Sequence, residues 1–483
     1  MKLLIVGIDG GDRQIIDAMD MPFTQNLLNE RTQLNIREDL WSRGWSEILT
    51  GLHGVETGAF YEKPKLDGSL GFTQSYKLED YYKTPGCVPI WDKLNEMGLK
   101  SGFTNIPTTI PAPKVDGFFI AGAGSGFSPS SRVPANACQP AEIAAELLDQ
   151  DFIWEQRFRV SGVRDFDVFI ERCVTAVKQR TELFIKLSRQ HNIDVGFIMH
   201  REFSTLTNLF AFIIKKIVDR KGRAHERHEM RIAHFYRVLD DLINATVLRL
   251  NPDHIIVVSD HSVAQYEHSI NLNAFLNSIG MHEFEKSPKK TNNLNLMSRA
   301  KLGFIKYLRD KISPDYYTYK LKSWETFKIV PEGARAFSNN YVPGIYINDD
   351  RFLSLVSSSE KESLKEHIIS KFNATREAKE YGLNARIYRE KYGNSHSNAL
   401  LPDIWIDIPD TFFPEAKGEF VQKNPYYKSY HDLSYAHRDI MSGIKGRKAL
   451  CAVEPAIIDK LEKREEYDLT IAYYAILQQL ENA

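Results

Sequence analysis

Two stretches of this 483-residue chain place metal-binding side chains where a buried strand ends. The first is HIIVVSDH, residues 254–261. Four apolar residues, Ile255 to Val258, read as a short strand buried on both faces, which Ser259, Asp260 and His261 bring to a close. The second is KLLIVGIDGGD at the start of the chain, a strand from Lys2 to Ile8 that ends in Asp9 and two glycines. A carboxylate beside an imidazole offers oxygen and nitrogen donors to a zinc-like divalent ion. The simpler reading of the turn at 259–261 is that Asp260 caps a helix. Two strands that both end in carboxylates can face each other across one crevice. Ser42 lies in a turn just before a helical segment, Trp45–Leu49. There it suits either a hydroxyl that attacks a phosphate held by converging backbone N–H groups or a helix N-cap. His200 and Glu202 follow a further apolar run, Asp194–Met199, and are additional candidate ligands; a hydrogen-bonded core histidine is the plainer reading of His200.

The segments between these points alternate strand and helix. Ile15, Ile16, Met19, Phe23, Leu27 and Leu28 have helical spacing over 13–30, interrupted at Pro22. Leu34 and Ile36 read as an edge strand. Ile90–Met97 is a helix closed by Gly98, followed by strands at Lys100–Thr104 and Val115–Ala121. Residues 140–190 read as helical, Lys215–Arg231 as a basic solvated helix face and His234–Leu250 as an amphipathic helix leading into 254–258. Later strands are expected at Gly344–Asn348, Ala385–Arg389 and Pro402–Ile408, a long loop region over 410–435, and a closing helix at Asp468–Leu480. This order predicts an α/β fold: a mostly parallel central sheet with helices on both faces and a site at the carboxyl ends of its strands. The core is expected over 1–281, 331–348 and 401–483, with a polar, lysine- and tyrosine-rich insertion at 282–330 and a small cap at 349–400.

Composition narrows the classes. A 43% hydrophobic, 11% aromatic chain builds a full-sized core, and a formal charge of −1 argues against a general nucleic-acid binder. Cys87, Cys138, Cys173 and Cys451 lie far apart without CxxC spacing, so neither a zinc ribbon nor a disulfide framework is indicated. The longest apolar stretch, Leu209–Val218, is too short for a membrane helix and contains Lys215 and Lys216. No cleavable leader is evident, and a cytoplasmic location is the expectation.

In order along the chain, LLIVGIDGGD, WSEILTG, IWDKLNEMGLKSGFTNIPTTIPAPKVDGFFIAG, IIVVSDH with INLNAFL, ARAFSNNYVPGIYIND, LPDIWIDI and HRDIMSGI form an ordered set. The set resembles the alkaline phosphatase superfamily, in particular its type I phosphodiesterase/nucleotide pyrophosphatase-like branch. The resemblance implies hydrolysis of phosphoric esters, with a phosphorylated small molecule or nucleotide as substrate. It also implies two divalent metals, usually zinc, with manganese or magnesium as alternatives. Asp9, Asp260 and His261 fall on the ligands of one ion, together with the nucleophile's hydroxyl. A late histidine, His437, falls on a ligand of the second.

Three positions depart from the family pattern. Strict alignment puts Trp41 at the nucleophile, with Ser42 one residue late. The Asp and His of a DxxxH ligand motif fall on Ser204 and Asn208. In HGVETG, Thr57 stands where a histidine is usual. The first metal site is therefore expected to be intact and the second damaged. That leaves three readings: a metal-dependent phosphohydrolase with Ser42 as nucleophile, a degenerate relative that binds a phosphorylated ligand or a protein without turnover, and a phosphomutase or phosphotransferase.

Overall fold

The computed structural model describes residues 1–122, 133–150, 152–154, 163–282, 332–339, 341–388, 397–415, 418–424 and 444–481. Its central sheet has eight strands: β1 (Leu3–Ile8), β2 (Thr32–Gln33), β3 (Ser101–Ile106), β4 (Gly117–Ala121), β5 (Cys138–Gln139), β6 (Val195–His200), β7 (His254–Val258) and β8 (Cys451–Val453). Their spatial order is β2-β8-β7-β1-β6-β3-β4-β5. The inner five, β7-β1-β6-β3-β4, are parallel. The flanking strands run antiparallel to their neighbours.

Every residue of β1 is buried, as an unbroken apolar run in a covered sheet requires. The two faces are covered by different helices. A methyl on Gly7 of β1 would meet Trp45, in helix Gly44–Thr50, whereas one on Gly196 of β6 would meet Phe184, in helix Val163–His191. Gly7 pairs with Met199, so odd-numbered residues of β6 share the Trp45 face and even-numbered ones share the Phe184 face. The α/β architecture expected above is the one observed.

A second hydrophobic cluster forms beyond the main sheet. An antiparallel sheet in the order Ala336–Phe337, Gly344–Ile347, Ile404–Asp407, Asn384–Ile387 packs with helices Leu272–Ser278 and Ser358–Ala374. The expected insertion at 282–330 lies, apart from His282, outside the described residues.

Several boundaries shift. The edge strand is Thr32–Gln33 rather than Leu34 and Ile36, although the Leu34 N–H still bonds the Cys451 carbonyl. The basic segment 215–231 is not one helix: Glu202–Asp219 ends there and Arg227–Leu250 begins. Its cations are partly engaged, Arg220 with buried Glu229 and Arg231 with Asp167 and Glu171. The region read as loop over 410–435 contains strands Phe412–Pro414 and Val421–Lys423 on either side of His268–Ile270. Strands of three residues carry too little alternation to be seen as a period. No helix among the described residues is long and apolar enough to cross a membrane. The four cysteines are free.

Candidate active site

β1 and β7 are neighbours in parallel register, with Gly7 beside Val258. Asp9 leaves the end of β1, and Asp260 and His261 follow one residue after β7, so the two turns emerge side by side. One donor atom from each of Asp9, Asp260 and His261 lies within 4.8 Å of the others. Asp260 and His261 are buried.

Each side chain is held by a hydrogen bond that leaves donor capacity over. His261 Nδ1 is 2.7 Å from the Ser262 carbonyl, which can only accept, so Nδ1 carries the proton and Nε2 presents its lone pair. That Nε2 is 3.4 Å from Asp260 Oδ2. Asp260 Oδ1 accepts the Gly10 N–H at 3.1 Å, and Oδ2 accepts the Tyr61 hydroxyl at 3.2 Å. The Trp45 indole N–H donates to Asp9 Oδ2 at 3.0 Å. Burial pushes the Asp260 carboxyl above its usual range and the Asp9 charge adds to the rise, against the pull of His261, Lys445 and the Gly10 N–H.

Close backbone approach makes this possible. A methyl on Gly44 would lie 2.4 Å from the Asp260 carbonyl oxygen, so the start of helix Gly44–Thr50 abuts the turn that holds Asp260. Gly10 has a φ of +65°, and a methyl there would strike Ser204 and crowd His261.

The donor set fits one divalent ion. Two ligands on a tetrahedral zinc with bonds near 2.0–2.1 Å stand about 3.3 Å apart, close to the 3.4 Å between His261 Nε2 and Asp260 Oδ2. Among the described residues a second ion lacks comparable donors. Ser204 lies beside Gly10, as the motif comparison requires, but Asn208 Nδ2 donates to Ser204 Oγ at 3.1 Å. That neutral pair supplies neither a carboxylate nor an imidazole. His437 lies outside the described residues.

Neither His200 nor Glu202 joins the cluster. His200 is even-numbered in β6 and so points to the helix Val163–His191 face, away from Asp9. Among the described residues neither of its ring nitrogens has a hydrogen-bond partner, and burial, with Arg180 nearby, pushes its pKa down to about 3. Glu202 is fully committed to Arg180, with paired contacts of 2.5 and 2.9 Å.

Ser42 is buried in the turn before Gly44. Its hydroxyl donates to Asp39 Oδ2 at 2.9 Å and lies 3.5 Å from His53 Nε2. His53 Nδ1 accepts the Val55 N–H, which puts the neutral ring's proton on Nε2, facing Asp39 at 3.4 Å and Glu47 at 3.5 Å. Burial would raise Asp39, but His53 and the two Ser42 donors pull it down to about 2. The same contact raises His53 against the effect of its own burial. Trp41 is stacked on Phe60 at 3.8 Å, and its indole N–H bonds the Glu62 carbonyl.

The sequence reading missed Tyr61, Trp45 and Lys445. Lys445 lies on strand Ile444–Gly446, paired with Ser262–Ala264 just after His261. Its Nζ stands 2.9 Å from the centre of the Tyr61 ring. Burial pushes it down to about 7, Asp260 and Asp9 pull it back, and Arg43 and Arg201 add to the fall. Only the strand pairing with 262–264 could have flagged it, and three-residue pairings leave no sequence pattern.

A family described as type I phosphodiesterase/nucleotide pyrophosphatase matches residues 3–411. Two solved structures of murine ectonucleotide pyrophosphatase/phosphodiesterase 5, one of an inactive variant in complex with AMP, align with 100% of this chain and 95% of theirs. Identity is 13% in both cases, with TM-scores of 0.47 and 0.45. No curated protein sequence matches the chain. On a match that runs from β1 past Asp260 and His261 to residue 411, the protein belongs to the type I phosphodiesterase/nucleotide pyrophosphatase family.

Proposed function

We propose that this protein hydrolyses phosphoric esters of the phosphodiester or nucleotide type with the help of a divalent ion, zinc in the first instance and manganese or magnesium as alternatives. Asp9, Asp260 and His261 hold the ion, and Ser42 supplies the attacking hydroxyl. The convergence of those three donors at the ends of β1 and β7 carries the reading. A bound ion there would supply a Lewis acid that offsets phosphoryl charge and lowers a hydroxyl pKa.

The chain's own residues do the positioning. Ser262 fixes the His261 tautomer, and Gly10, Tyr61 and Trp45 aim the carboxylates. Asp39 orients the Ser42 hydroxyl at the turn that abuts the Asp260 backbone, leaving the oxygen's lone pairs for attack.

The test is hydrolysis of bis(4-nitrophenyl) phosphate by chelator-treated full-length protein, before and after zinc, manganese or magnesium is returned, with metal content measured in parallel. Zinc-restored turnover that Asp260→Ala and Ser42→Ala each abolish is the expected result. Absence of both turnover and bound metal overturns the proposal. A second reading, ligand binding without turnover, is favoured by the neutral Ser204–Asn208 pair and by the anchoring of Ser42 to Asp39. It predicts bound metal and bound AMP with no hydrolysis.

A further inference from the structure

At the positions of a second ion's ligands in the family's scheme, Ser204 and Asn208 bring no charge. A cation nevertheless stands close by. Lys445 is fixed through its backbone: it pairs with Val263 in the two-stranded ladder, and the Tyr266 hydroxyl donates to its carbonyl. Its side chain lies on the face of Tyr61, the residue whose hydroxyl bonds Asp260. Among the described residues the Lys445 Nζ has no ion pair and no hydrogen bond. Toward the described residues its N–H donors are uncommitted, while Asp260 and Asp9 are the anions that act on it most strongly. Lys445 itself is half-buried. Arg43 is differently placed: its guanidinium is spent on the Phe60 and Gln74 carbonyls.

From this geometry we infer that the site takes one divalent ion rather than two, and that Lys445 serves as the second positive charge, contacting the phosphoryl oxygens of the substrate. The inference rests on the metal-dependent reading above. An ammonium on an aromatic face is held without being neutralised, and it keeps its hydrogen-bond donors for an anion. A second divalent ion brought beside it meets repulsion with no added carboxylate among the described residues to offset it. Lys445 binds and orients the phosphoryl group; no bond is made to it.

The experiment uses the full-length protein loaded with zinc and dialysed. Metal is counted by elemental analysis and inorganic phosphate binding is measured by calorimetry, both independent of turnover. The expected wild-type value is one zinc per chain. Lys445→Met, which keeps the aliphatic stem, should retain one zinc and lose phosphate affinity by about tenfold or more. Lys445→Arg should restore much of that loss. Two zinc ions per wild-type chain, or unchanged phosphate affinity in a folded Lys445→Met protein, overturns the role of Lys445 and leaves the metal-dependent reading standing. No bound zinc in the wild type overturns that reading itself, and this inference with it. If Lys445→Met does not fold, loss of phosphate affinity in Lys445→Gln and its recovery in Lys445→Arg decide the matter.

Discussion

Two groups of buried charge in this protein are built in opposite ways. In the second sheet, Asp349, Arg351, Lys361 and Asp403 form a closed network. Arg351 bonds both carboxylates, Lys361 Nζ reaches both, and Asp403 also accepts the Ile347 N–H at 2.8 Å. Burial would raise Asp349, but its two cations hold it below its usual range. At the ends of β1 and β7, two carboxylates share a crevice with no Lys or Arg among the described residues shown bonded to either, and Asp260 is pushed up. The closed network has the form of a structural device. The open one stores an electrostatic cost that a bound cation or a proton relieves, a pattern common at functional sites.

The largest effect should come from removing a charge at the open site. On the proposed metal-dependent mechanism, Asp260→Asn removes an ion ligand and with it several kcal/mol of transition-state stabilisation, so turnover is expected to fall by about a thousandfold or more. The same change should raise the melting temperature of the metal-free protein. Asp260 has a raised folded pKa, so its ionised form weakens the fold at neutral pH, and that cost is relieved as pH falls through the folded value. A stabilised apoprotein with no activity is the combined outcome to look for. A destabilised one would mean that Asp260 is part of the fold's own support.

Asp403→Asn is the counterpart at the closed network. It leaves Arg351 and Lys361 facing one carboxylate instead of two in a buried setting. A loss of about 3–5 kcal/mol in unfolding free energy is expected. Zinc content per folded chain should not change. Urea titration and elemental analysis on the same preparations separate the two quantities.

The contrast between the groups also explains what could be read from the amino-acid sequence. Asp9, Asp260 and His261 were legible because each follows a long apolar run, and parallel strands in one sheet bring their carboxyl ends together. The parallel sheet was legible for the same reason. His200 misled because a one-residue step along β6 turns its side chain to the other face. Glu202 misled because its partner, Arg180, lies on a helix whose register the sequence does not reveal. Lys445 and Tyr61 reach the site through a short ladder and a loop, and neither leaves a periodic trace. The Asp349–Asp403 network joins residues 54 positions apart across strands of four residues. Nothing local marks it.

A smaller effect is expected from the Asp39–His53 contact beneath Ser42. Asp39 is depressed from 3.8 to about 2, so its contribution is present above the unfolded value and is lost as pH falls through the folded one. His53 is raised, so its side of the same contact is present below about 6.5 and is lost as pH rises through its folded value. The pair therefore stabilises most between about pH 4 and pH 6.5. Asp39→Asn should cost about 2 kcal/mol in that window and progressively less towards pH 2. Unfolding curves across pH for both proteins provide the check; a cost that stays constant to pH 2 would show that packing, not charge, is what Asp39 contributes.

The smallest effect is the one that separates the two halves of the open site. Tyr61 touches both: its hydroxyl donates to Asp260 Oδ2 and its ring carries Lys445. Tyr61→Phe removes only the hydroxyl. Asp260 keeps the Gly10 N–H and loses one orienting donor, a net change of about 1 kcal/mol, so zinc affinity should fall by about fivefold. Phosphate affinity at saturating zinc should stay near the wild-type value, because the ring that holds Lys445 remains. Tyr61→Leu removes the ring as well and should add a loss of phosphate affinity to the loss of zinc affinity. If Phe and Leu behave alike in both titrations, the ring does nothing for Lys445, and the two halves of the site are not joined through Tyr61.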